Sequence, residues 1–307
     1  MVKAPQFSWR FLLPKYWFLW TGIALLWLIS WLPYRVLMWL GTGLGRLFYK
    51  VLKPRRKITA RNIELCFPDM SAEEREKLLI RNIEETGKAV FDTIIGWWWP
   101  EWRIRKYAHF KGYEHIQAAL AQGKGVLLLA SHMQHLEAAG RVFGLTHPSV
   151  GFYRPNNNPL LDWIQYRGRS KANKYMVGKR DVKGLIHALN QQEVCFYLPD
   201  QDYGRNRAEF VPFFAVQQTA TTTGTLLFAK AANCVVIPVL TRRLPDYQGY
   251  EVEVLPPLAP FPTDDDKADV TRVNQWVEQA VLNCPEQYLW LHRRFKTRPS
   301  KQDPSLY

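Results

Sequence analysis

The chain has 307 residues, 47% of them hydrophobic, which supports one sizeable core with an appendage and does not force a second globular domain. Its net charge of +14 is uneven: eleven basic residues, from Lys3 to Arg61, precede the first acid, Glu64, and the remainder sets 30 Lys and Arg against 27 acids. A basic excess confined to a Trp- and Leu-rich N-terminal stretch points to anionic lipid head groups, not to nucleic acid.

The four cysteines, Cys66, Cys195, Cys234 and Cys284, have no metal-ligand spacing and read as reduced thiols of a cytosol-facing protein. From the N-terminus, Tyr16 to Leu32 carries no charge and is flanked by Lys15 and Arg35, with Trp17, Trp20, Trp27 and Trp31 in between. Such a run predicts a single membrane-spanning helix, and the basic residues that follow place the C-terminal body in the cytoplasm. Pro33-Tyr34-Arg35-Val36 lacks a small-residue cleavage site, so a retained anchor is favoured over a signal peptide. Val36 to Leu52 suits either a helix lying on the membrane or one packed on the body. Residues 1–60 thus form a membrane anchor and interfacial helical region, with the body over 61–307.

Ser71-Ala72-Glu73-Glu74 is a capping box that opens a helix reaching Ile95. Beyond it, helical stretches alternate with apolar runs at Val126 to Ala130, Ser149 to Tyr153, Val194 to Leu198 and Cys234 to Leu240, and with the alternating Glu251 to Leu255. That alternation predicts an α/β fold, a central mixed sheet flanked by helices. Pro256 to Asp266 and the tail after Pro299 read as loop and terminus.

The chemistry centres on Gly125-VLLLAS-His132-MQHL-Glu137, an apolar strand ending at Ser131-His132 and passing into a helical run. Positions five apart on one helix stand about 140° apart, so His132 can meet Glu137 only if it precedes the helix. The carboxylate then holds the imidazole while its other nitrogen accepts a proton from a substrate hydroxyl. No enzyme nucleophile is needed, and a metal site through His132, His135 and Glu137 lacks a fourth ligand. Arg154, Arg167 and Arg169 arrive on a strand, loop and helix start, where arginines bind phosphate or an oxyanion. Asp200, just past the strand Val194 to Leu198, is expected to orient an arginine such as Arg169, whereas Asp202 reads as a solvated turn acid. Phe210 to Phe214 and Thr219 to Gly224 read as an apolar loop and a hydroxyl-rich helix start, bordering an acyl pocket or belonging to the core.

Taken in order, the N-terminal anchor, His132-MQHL-Glu137, Tyr153-RPNNNP-Pro159 with Arg167-Gly168-Arg169, Pro199-DQDYG-Gly204, Phe210-VPFF-Phe214 and Gln287-YLWLHRRFKTRP-Pro299 resemble the late acyltransferases of lipid A synthesis. The family usually shows Gly where this chain has Ala215. The resemblance implies a bacterial inner-membrane enzyme moving laurate or myristate from acyl carrier protein to a hydroxyl of a lipid A precursor, without cofactor or metal. It implies His132 and Glu137 as catalytic residues and Arg169 and Asp200 at the site, with Arg154 a further substrate-binding candidate. Two other readings stay open: a thioesterase using the same pair on water, and a non-catalytic membrane lipid-binding protein.

Overall fold

The computed structural model describes residues 1–307. The apolar N-terminal run folds as α1 (Trp17–Ser30), whose 14 residues extend about 21 Å, short of the roughly 30 Å hydrocarbon core. No helix of the chain is long and apolar enough to cross a membrane, which corrects the spanning helix expected over Tyr16 to Leu32. The reason lies at the helix end. Pro33 starts a new helix, and the body captures the last carbonyls: Arg103 donates to Ser30 at 3.0 Å, Trp31 at 3.1 Å and Leu32 at 2.5 Å, while Trp99 Nε1 donates to Ser30 at 2.7 Å. A guanidinium at a helix C-terminus satisfies both its free carbonyls and its dipole.

Next come α2 (Tyr34–Val51), α3 (Lys53–Cys66) and α4 (Ala72–Trp98). Gly41 and Gly45 of α2 meet Gly87 of α4 so closely that a Cβ on any of them would strike the facing backbone. One face of α2 is therefore packed on the body, and the other leaves Trp39, Leu47 and Val51 exposed. The capping box forms as expected, Ser71 Oγ accepting from Glu74 N–H at 3.2 Å and Glu74 Oε2 from Ser71 N–H at 2.8 Å.

The body continues through α5 (Glu101–Ile104), β1 (Ala108–Lys111), α6 (Tyr113–Ala121), β2 (Gly125–Leu129), α7 (Leu136–Thr146), β3 (Ser149–Tyr153), α8 (Pro159–Arg169), β4 (Asn173–Gly178), α9 (Val182–Asn190) and β5 (Val194–Tyr197). It closes with β6 (Ala208–Phe213), β7 (Val216–Thr222), α10 (Gly224–Ala231), β8 (Cys234–Leu244), β9 (Gly249–Val254) and α11 (Asp266–Leu282). Seven strands form one sheet in the order β1-β9-β8-β2-β5-β3-β4, with β8 and β9 antiparallel and the other neighbours parallel, so the mixed α/β sheet is as expected. β2 is buried along its whole length, the pattern of a central strand covered on both faces.

Phe210 to Phe213 and Thr219 to Thr222 are not loop and helix but lie on the two arms of an antiparallel hairpin, β6 with β7, and only Thr223 and Gly224 open a helix, α10, as expected. The hairpin turn puts the left-handed backbone on Phe214 (φ 50°) and leaves Ala215 in ordinary conformation, so a residue with a Cβ is tolerated there.

A candidate active site at the carboxyl edge of the sheet

His132 follows β2 and precedes α7, whose N-cap is His135, so it stands free of the helix at the carboxyl edge of the parallel strands. The C-terminal segment pins it there: Leu289 N–H donates to His132 O at 3.0 Å, and Gln134 N–H donates to Gln287 O at 2.8 Å.

Its acidic partner is not the one expected. Asp200 Oδ1 faces His132 Nδ1 at 2.6 Å, and Asp200 Oδ2 accepts the His132 backbone N–H at 2.7 Å. β5 lies beside β2 in parallel register, Leu129 against Tyr197, and three more residues along each strand bring His132 level with Asp200. Burial raises the Asp200 carboxyl, but the charge and hydrogen bonds of His132 outweigh it and hold Asp200 below the ordinary carboxylate range. With Nδ1 occupied, Nε2 is the nitrogen left to face the adjoining cavity.

Glu137, expected on the imidazole, instead pairs with Arg169. Arg169 Nε donates to its two oxygens at 3.0 and 3.3 Å and Nη2 makes a shorter bond to Oε1, while Trp97 Nε1 donates to Oε2 at 2.7 Å. Both expected pairings are thus exchanged. A side chain in the first turn of α7 points toward α4, on which α8 also packs, whereas the residue ahead of the helix stays with the adjacent strand. Trp97 went unrecognised in the sequence, since it lies just beyond the helix read as reaching Ile95. It fits because Gly168 leaves room: a Cβ there would collide with the indole.

Arg154 is exposed at the cavity rim. The Asn loop beside it is architecture, since Asn158 Oδ1 accepts from Leu160 and Leu161 N–H at 3.0 and 3.3 Å and caps α8. Asp202 is no solvated turn acid either. It accepts from Thr297 N–H at 2.7 Å, Thr297 Oγ1 at 2.8 Å and Gly204 N–H at 2.8 Å, tying the C-terminal tail to the loop that carries Asp200.

His132, Glu137 and Arg169 open onto one cavity of about 470 Å³. Its walls come from both faces of the sheet, Phe143 and Phe196 from the α7 side and Phe152 and Phe228 from the α9 and α10 side. A carboxylate-held imidazole, a guanidinium and a deep apolar chamber meet there. Fold and site together define an α/β protein with a carboxylate-held imidazole at the mouth of a largely apolar cavity, the form of an enzyme site.

Residues 4–297 match the family described as bacterial lipid A biosynthesis acyltransferase, and the chain belongs to that family. It is 46% identical over 307 residues, all of both chains, to "Lipid A biosynthesis lauroyltransferase" of Escherichia coli (strain K12). It is 43% identical, again over all of both chains, to "Lipid A biosynthesis palmitoleoyltransferase" of the same organism. To that organism's "Lipid A biosynthesis myristoyltransferase" it is 28% identical, covering 96% of this chain and 91% of the other. The protein is an acyltransferase of lipid A biosynthesis.

Proposed function

We propose that the enzyme moves a fatty acyl group from the thioester of acyl carrier protein to a hydroxyl of a lipid A precursor, giving a secondary ester. His132 Nε2 takes the hydroxyl proton as the oxygen attacks the thioester carbon; the carbon–sulfur bond then breaks, and the imidazolium returns the proton to the leaving thiolate. Asp200 fixes the tautomer and steadies the imidazolium, the role of a buried acid on a catalytic histidine. Arg169, aimed by Glu137 and Trp97, offers positive charge to the oxyanion of the tetrahedral intermediate, and the apolar chamber receives the acyl chain. The observation that carries this reading is the grip of Asp200 on His132 Nδ1, with the other ring nitrogen left toward the cavity. Mass spectrometry of products from purified enzyme, supplied with acyl carrier protein thioester with and without lipid acceptor, tests it. Acylated lipid with wild type and none with His132→Ala is expected; free fatty acid formed equally without acceptor refutes transfer.

The same reading has the body seated on a lipid surface without spanning it. Trp9, Trp17, Phe18, Trp27 and Trp39 are exposed, and Lys15, Arg35 and Arg46 stand among them, as on an interfacial element. Sedimentation with anionic vesicles checks this: Phe18→Ser combined with Leu28→Ser should weaken binding by about tenfold, and undiminished binding would count against the seating.

A further inference from the structure

Among the buried arginines, Arg141 is the least compensated. Arg243 lies between Glu85 and Asp92, Arg103 spends its donors on three carbonyls, and Arg294 donates to Ala220 O at 2.6 Å and Thr221 Oγ1 at 2.9 Å. Arg141, only 7% exposed, makes one hydrogen bond, Nη1 to Lys171 O at 3.0 Å, and its buried Nε has no partner. No carboxylate is in ion-pair contact with it, and Glu101, the acid that acts on it most strongly, is held by Arg105 at 2.6 Å. A buried charge with donors to spare costs free energy unless something offsets it.

Its placement says what could. Arg141 stands one helical turn beyond Glu137, about 6 Å along α7 and on the same face, and it lines the cavity that His132 enters. Beside it, Lys171 and Arg167 carry two further positive charges without ion-pair partners; burial, Arg141 and Arg167 all press the Lys171 ammonium down. Arg167 lies over the Trp163 ring at 5.0 Å, and that ring packs on Phe7 of the N-terminal stretch, so the cluster borders the lipid-facing side.

We infer that Arg141, with Lys171 and Arg167 beside it, forms an oxyanion subsite that holds a phosphate or carboxylate of one of the two substrates one helical turn beyond Glu137. The inference rests on the acyl-transfer reading of the cavity. The anion has two possible bearers, the acceptor lipid and the carrier arm, and kinetics with each substrate varied in turn separates them.

Arg141→Gln should raise the KM of one substrate by about tenfold and leave kcat within about twofold, the scale of one lost charge-assisted hydrogen bond. Arg141→Lys should recover part of the loss. Inorganic phosphate should inhibit wild type competitively against that same substrate and raise its melting temperature, and both effects should fade in Arg141→Gln. Unchanged KM for both substrates, or equal phosphate effects in wild type and variant, would overturn the subsite. Should Arg141→Gln not fold, phosphate titration of wild type and of Lys171→Gln decides, and no thermal response of wild type rules the site out. Because the thermal response needs no turnover, it stays readable even if acyl transfer itself is refuted.

Discussion

Two carboxylates flank the His132 loop, and the fold treats them differently. Asp200, whose side chain is 1% exposed, gives both oxygens to a single residue, the ring and the backbone N–H of His132. Glu137, 18% exposed, is shared between an indole from α4 and a guanidinium from α8. In the proposed reaction the first arrangement orients a base; the second aims a cation. Nearness in sequence would have assigned both acids the other way round, because Glu137 is five residues from His132 and Asp200 is 68 away.

Breaking the Asp200 arrangement should cost most. Asp200→Asn keeps the shape but offers an amide that cannot stabilise the imidazolium, and a fall in kcat of about 10⁴-fold is expected in steady-state assays, as for an acid lost from a catalytic triad. A loss under tenfold would return the imidazole to some other partner. Disrupting the second pair should cost less. Arg169→Lys keeps the charge but loses the two-pronged grip on Glu137, and about 10²-fold in kcat is expected; parity with Asp200→Asn would merge the two roles.

Smaller again is Trp97→Phe, which removes one of the donors to Glu137 and should lower kcat by about tenfold. If Trp97 acts through Glu137, the double variant with Glu137→Gln should be no slower than Glu137→Gln alone; additive losses would make the indole a packing residue only.

The smallest expected effect is on stability. His135 is fully buried beside Tyr250, and burial, outweighing a contact with the Thr241 backbone, pushes its imidazole down to about 4. Its folded value lies below the unfolded one, so the unfolded chain binds the extra proton. Stability is then complete above about pH 6.5 and drains as pH falls toward 4. Urea unfolding should show wild type losing about 2 kcal/mol more than His135→Phe between pH 7 and pH 5, and equal losses would mean that His135 is not kept neutral by the fold.

Much of the frame was legible in the residues. β3 matches the expected Ser149 to Tyr153, β2, β5, β8 and β9 fall on the other apolar runs, and Ser71 caps α4, because burial on both sheet faces and amide capping leave local signatures. His132 standing outside α7 was legible as well, since helical geometry forbade the alternative. Less was visible in β6 and β7, where aromatic and Thr-rich runs concealed a hairpin, and at α1, whose apolar length suggested a crossing that Arg103 and Pro33 cut short.

Local sequence therefore pointed to His132, Glu137, Arg169 and Asp200 and to the strand end at which they gather, because burial, capping and helix periodicity act over a few residues. Tertiary structure alone decided their partners: Asp200 reaches His132 through the lateral register of β2 and β5, and Glu137 reaches Arg169 through the packing of both α7 and α8 on α4. Such contacts join residues far apart along the chain, and the free energy that sets them belongs to the assembled sheet and its helices and to no single segment.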